Sequence, residues 1–181
     1  SDYIKRTMEK TVEKMKKSFP VIMITGPRQV GKTTLLNIMA ENNKNEKINF
    51  ISLDDLNART LAIEDPELFL RTYEMPLIID DFQYAPNLLS YIKIIVDKKR
   101  LDNLKDNSVK CNGLFYLTGS QAFETMENVT ESLAGRIAVL DMNGLTNREI
   151  KNEKDDIFIP DFEKLKNKKK TETISTIKVF D

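Results

Sequence analysis

The sequence predicts an α/β fold, a three-layer sandwich whose mainly five-stranded parallel sheet is covered by helices on both faces, with an amphipathic helix leading into it. Three observations carry that expectation. Five short apolar runs alternate with segments of helical character along the 181 residues. The first run feeds Gly26-Pro27-Arg28-Gln29-Val30-Gly31-Lys32-Thr33, a G-x-x-x-x-G-K-T stretch that opens a helical segment. The third run ends in paired carboxylates, Asp80 and Asp81.

Taken in order, Ile4, Met8, Val12, Met15 and Phe19 recur at helical spacing, with Lys and Glu on the other side, so residues 1–19 are expected to form a helix packed on the domain. Residues 20–150 then supply the alternating pattern. VIMIT precedes TTLLNIMAE, and INFISL precedes DLNARTLAI and PELFLRTY. PLIID precedes NLLSYIKIIVDKK, GLFYLTG precedes QAFETMENV, and RIAVLDM closes the series. Pro66 and Pro86 suit first helical turns, while Asp54, Asp65 and Asn87 stand where short polar side chains satisfy free helix N–H groups. Lys98, Lys99 and Arg100 are expected near a helix C-terminus, followed by a polar loop over 102–112. Residues 151–181, including the lysine-rich 164–173, read as a connector.

Composition narrows the chemistry. Lys+Arg 28 balances Asp+Glu 28, so nucleic acid is not indicated by net charge. There is no histidine, which excludes a His general base and a His-ligated metal. The lone Cys111, just before an apolar run, cannot form an internal disulfide and is expected to be a small buried hydrophobe. No apolar run approaches the ~18 residues needed to span a bilayer, and a cytoplasmic protein is expected.

The glycine-punctuated stretch is a phosphate-binding loop in the strand-loop-helix setting that such a loop requires. Its backbone N–H groups and the N-terminus of the next helix complement negative charge, so a nucleoside triphosphate is the expected ligand. Gly26, Pro27, Arg28, Gln29, Val30, Gly31, Lys32, Thr33 and Thr34 form the candidate nucleotide set. Lys32 is expected to reach the β- and γ-phosphates, and the Thr33 hydroxyl to ligate Mg²⁺. Asp80, ending a wholly apolar strand, is the expected acid of the metal shell, with Asp81 beside it; capping of the following helix is the competing reading. Thr118 or Ser120, closing the fourth strand, could sense the γ-phosphate, against a plain turn and helix cap. Arg136 offers a guanidinium for transferring phosphoryl charge, in cis or from a neighbouring copy.

Together, GPRQVGKTTLL, SLDDLNARTLAIEDPELFL, PLIIDDFQYAPNLLSYIKIIVD and FYLTGSQAFETMENVTESLAGRIAVLDMNGLTNREI resemble the prokaryotic AAA-type ATP-binding family whose members carry a C-terminal domain of unknown function. The resemblance covers residues 3–150. It implies the ASCE type of P-loop NTPase, with an additional strand between the phosphate-loop strand and the Walker B strand, and ATP with Mg²⁺ as ligand. It carries over Gly26, Gly31, Lys32 and Thr33 as nucleotide residues and Asp80 as the Walker B acid. Two departures stand out. The family usually places Glu where this chain has Asp81, a group shorter by one methylene at the position that polarises the attacking water. Family members also continue beyond the point corresponding to Asp181 into a second domain, which would be a partner of this one.

The expected function is therefore Mg-dependent ATP hydrolysis at the γ-phosphate, with Lys32, Asp81, Ser120 and Arg136 as catalytic candidates and ADP as product. A nucleotide-gated switch without useful turnover is the alternative, and a homo-oligomer is compatible with either. A small-molecule kinase would need an acceptor pocket and lid that the sequence does not identify.

Overall fold

In the computed structural model, which describes residues 2–26, 31–119, 123–142 and 178–179, the five apolar runs form one parallel sheet. The strands are β1 (Val21–Thr25), β2 (Asn49–Ser52), β3 (Leu77–Asp80), β4 (Phe115–Gly119) and β5 (Ile137–Asp141). Their order is β2-β3-β4-β1-β5. The additional strand implied by the resemblance is thus β4, between β1 and β3. A short sixth strand, β6 (Lys178–Val179), pairs antiparallel with Ala138 and Val139 of β5. It lies in the stretch expected to be a connector, and only these two of its residues are described.

Alternation along each strand sorts the core into two layers. Val21, Met23, Leu77, Ile79, Phe115, Leu117, Ile137 and Val139 face one side, against α3 (Leu56–Glu64), α4 (Pro66–Thr72), α5 (Leu88–Lys105) and α6 (Phe123–Ser132). Ile22, Ile24, Ile78, Tyr116, Ala138 and Leu140 face the other, against α1 (Asp2–Met15) and α2 (Lys32–Asn42). The stripe on α1 explains its place: Met8, Val12 and Met15 are buried in this second layer and Phe19 packs against it. The Ile4 side chain lies outside the described ones.

Several boundary expectations are corrected. Asp55, not Asp54, caps α3 by accepting the Ala58 N–H at 2.9 Å. Asp65 does cap α4, through Leu68 N–H at 3.0 Å, with Pro66 at the start of that helix. Asn87 makes no side-chain cap on α5. Its amide instead donates to the carbonyls of Ala62 and Ile63, closing the C-terminal end of α3. Pro86 precedes α5 rather than entering it. That helix continues past Lys98-Lys99-Arg100 to Lys105, because LDNLK, polar but free of breakers, sustains a solvated helix. Cys111 is only partly buried and is not part of either core layer. No helix among the described residues is long and apolar enough to cross a membrane.

Candidate functional site

A parallel sheet collects the carboxyl ends of its strands along one edge, where ligands of open α/β sheets bind. Thr25 of β1 is in register with Gly119 of β4, and Ile79 of β3 with Leu117 of β4, so the phosphate loop, the paired acids and the LTG end of β4 emerge side by side. The loop leaves β1 at Gly26, with φ 153°, and enters α2 through Gly31, with φ 82°, values that a side chain would resist. Lys32, in the first turn of α2, is only 7% exposed, and its Nζ donates to the carbonyl of Gly26. The ammonium thus turns back over the mouth of the loop. Thr34 follows on α2 and is exposed. Pro27, Arg28, Gln29 and Val30 lie outside the described residues.

Asp80 is the hub of the site. Its Oδ1 accepts the Thr33 hydroxyl at 2.6 Å and the Thr118 hydroxyl at 2.5 Å. Its Oδ2 accepts the Ser52 hydroxyl at 3.3 Å. Three elements, α2, β4 and β2, are therefore held to one carboxylate at the end of β3. Thr118 also accepts the N–H of Asp81 at 3.2 Å, and Ser52 accepts the N–H of Asp54 at 3.2 Å. Thr118, weighed in the sequence as a γ-phosphate sensor, in this structure ties Asp80 to the backbone of Asp81.

The donor chemistry fits Mg²⁺. Thr33 Oγ1 and Asp80 are hard oxygen ligands already brought together, and Mg²⁺ needs few protein ligands because phosphate oxygens and water complete its shell. Among the described residues no group of three or more His, Cys, Asp or Glu gathers to form an all-protein cage.

Asp81 adopts the left-handed conformation, φ 55° and ψ 45°, and leads into a 3₁₀ turn, Phe82–Tyr84. Aspartate is among the few residue types that visit this region readily. Gln83 Nε2 donates to Asp81 Oδ1 at 3.3 Å. The turn is anchored by Phe82, fully buried, and by Tyr84, whose ring lies 3.6 Å beneath the Arg59 guanidinium. Arg59 also donates to the Leu53 carbonyl at 2.8 Å and sits 3.7 Å from Asp54.

Two catalytic candidates are not brought here. Ser120 lies outside the described residues. Arg136 precedes β5, so it stands at the amino edge of the sheet, about 16 Å of strand from the carboxyl edge. There it holds Asp97 through two bonds, Nε to Oδ1 at 2.6 Å and Nη2 to Oδ2 at 3.2 Å, and donates from Nη1 to the Ala134 carbonyl at 2.8 Å. In this chain Arg136 thus clamps α5 to the start of β5, away from the end of the sheet that carries Lys32 and Asp80. The Arg136 guanidinium holds the Asp97 carboxyl below its ordinary range against the opposing effect of burial, with Lys93 and Arg100 adding to the field.

Ser52 and Gln83 belong to the site but carry no motif. The available signal for Ser52 was a hydroxyl ending the strand before the acidic one; for Gln83 it was a lone amide between two aromatic residues in FQY.

Over residues 18–151 the sequence matches the family described as AAA domain. Uncharacterized proteins of Mycobacterium bovis and Mycobacterium tuberculosis are each 30% identical to the chain over 131 residues, covering 72% of this chain and 26% of theirs. The chain spans about a quarter of the length of these curated relatives.

Proposed function

The chain belongs to the AAA domain family, which it matches over residues 18–151, and from that membership we propose that it binds Mg-ATP and hydrolyses it at the γ-phosphate. The observation that carries the proposal is the 2.6 Å bond between Thr33 of the phosphate-loop helix and Asp80 at the end of β3. Two residues far apart in sequence meet where one cation could touch both and a polyphosphate. Thr33 and Asp80 would hold Mg²⁺, which when bound supplies charge neutralisation to the phosphate oxygens.

The remaining work falls to this chain's own groups. Lys32 exchanges the Gly26 carbonyl for phosphate oxygens and offsets charge there, and the α2 N-terminus adds its backbone N–H groups. Asp81 takes the proton of the attacking water. Thr118 fixes both acids, accepting the N–H of one and donating to the carboxylate of the other. The cycle's output, in this proposal, is passed to other sequence of a longer chain or to a second copy in the cytoplasm.

A second reading, a nucleotide-gated switch with little turnover, is favoured by the shortness of Asp81 alone. Calorimetry with Mg-ATP tests the shared premise: Lys32→Ala should abolish measurable binding. Unchanged affinity in that variant would defeat both readings, whereas phosphate release by the unaltered chain separates the ATPase from the switch.

A further inference from the structure

Gln83 sits one residue beyond the 3₁₀ turn's first position and reaches back to the acid that the turn follows, donating Nε2–H to Asp81 Oδ1 at 3.3 Å. The other end of the same carboxamide is in an unusual state: Oε1 is buried and has no hydrogen-bond partner among the described residues. A buried acceptor without a donor has lost its hydration and gained nothing in return, so native structures seldom keep one without a use for the rest of the group. The neighbours hold it there. At Gly119, the end of β4, a Cβ would come within 3.3 Å of Gln83 Oε1 and 3.3 Å of Met23 Cε. The bare backbone at 119 is what lets the carboxamide lie against the strand end.

Other arrangements would relieve Oε1 only by turning Nε2 away from Asp81. The buried Phe82 ring and the Arg59–Tyr84 stack fix the turn on either side, so the amide's direction is set by packing. The cost is borne at Oε1 and the benefit falls on Asp81.

We infer that Gln83 is a positioning residue for ATP hydrolysis, orienting the Asp81 carboxylate toward the attacking water. The inference rests on the hydrolytic reading above. In that step the water oxygen forms a bond to the γ-phosphorus while the bond to the β,γ-bridging oxygen breaks. The electron pair leaves on ADP, and the water proton passes to Asp81. A carboxylate one methylene shorter than glutamate has less reach and less tolerance for rotation, so a hydrogen bond that selects its orientation matters more here than it would for the longer acid. Gln83 touches no reacting atom and acts through Asp81.

The test compares the unaltered chain, Gln83→Leu, Asp81→Asn and the double variant in steady-state ATP turnover, with thermal unfolding of each. Gln83→Leu should lower kcat by about tenfold to a hundredfold while leaving KM and the affinity for a non-hydrolysable ATP analogue unchanged. Its melting temperature should hold or rise, since the orphan acceptor is gone. The double variant should be no slower than Asp81→Asn alone, because no carboxylate remains at 81 for the amide to aim at the water. Wild-type kcat in Gln83→Leu, or full additivity in the double variant, would overturn the inference. Should the leucine variant fail to fold, Gln83→Met, which keeps the unbranched length and removes the donor without adding a charge, decides by the same criteria. If the unaltered chain binds ATP but releases no phosphate, the hydrolytic reading falls and this role with it; brisk release with an indifferent Gln83 defeats this role alone.

Discussion

Thr33 donates its hydroxyl to Asp80 Oδ1 at 2.6 Å across 47 residues of sequence. Both oxygens are of the hard type that Mg²⁺ prefers, and the proposed function puts the cation at this contact. The second oxygen of Asp80 depends on Ser52, at 3.3 Å, and Ser52 in turn holds the Asp54 N–H.

Ser52→Ala should therefore weaken Mg-dependent nucleotide binding by roughly 10–100-fold, the usual effect of removing a partner that orients a metal-shell carboxylate. Binding measured by calorimetry in EDTA should be unchanged. An equal loss with and without the metal would mean that Ser52 supports the β2–α3 connection rather than the cation.

Asp81 permits a cleaner separation of chemistry from folding. Asparagine tolerates the left-handed backbone at φ 55° about as well as aspartate does. Asp81→Asn should thus keep its unfolding midpoint and its affinity for Mg-ATP, while phosphate release falls by about 10²-fold or more. Asp81→Glu should destabilise the chain by up to about 1 kcal/mol, because a longer acid is less at ease in that conformation. If the unaltered chain turns over slowly and Asp81→Glu accelerates it, the switch reading gains the advantage.

How much of this was legible depends on whether a feature is local. The five strands were, because each is a short apolar run next to its own helix, and all but the edge strand β2 are buried along most of their length. The meeting of Thr33 with Asp80 was expected as well, since the phosphate loop and an apolar strand ending in acid imply it together. Ser52 was not, because its role depends on β2 lying beside β3, a neighbour relation that no local pattern encodes. Asn87 illustrates the same limit: its position suggests a cap on its own helix, yet packing of α5 on α3 turns the amide to the earlier one. Arg136 shows a different limit. Standing before an expected strand, it belonged at the amino edge of a parallel sheet, and topology outweighs the general aptitude of arginine for phosphate.

The Arg136–Asp97 pair makes stability depend on acid. A carboxyl held below its ordinary value favours the folded state above the unfolded carboxyl pKa of about 3.9, and that contribution disappears as pH falls through the lower, folded value. Asp97 is 40% exposed, so solvent screening discounts the pair, and Arg136→Ala should cost about 1 kcal/mol at pH 7 in urea unfolding. The difference from the unaltered chain should shrink below pH 4, and ATP turnover per folded molecule should be unaffected. A selective fall in kcat with unchanged stability would return Arg136 to the catalytic set.

At the alkaline end the governing group is Tyr116, 2% exposed on β4 beneath α1 and α2. Burial, with the charges of Glu13 and Glu46 adding to it, pushes its phenol well above the ordinary value of 10.0. Folding therefore resists ionisation that the unfolded chain accepts. Stability from this source is intact below pH 10 and declines above it by about 1.4 kcal/mol per pH unit until the folded value is reached. Phenylalanine fills nearly the same volume and cannot ionise, so Tyr116→Phe should match the unaltered chain within about 1 kcal/mol at pH 7 and exceed it at pH 11. Urea unfolding at the two pH values checks this. The remaining tyrosines are common to both proteins and cancel in the comparison, so parallel loss of stability from pH 7 to 11 would mean that the Tyr116 hydroxyl ionises as freely inside the fold as outside it.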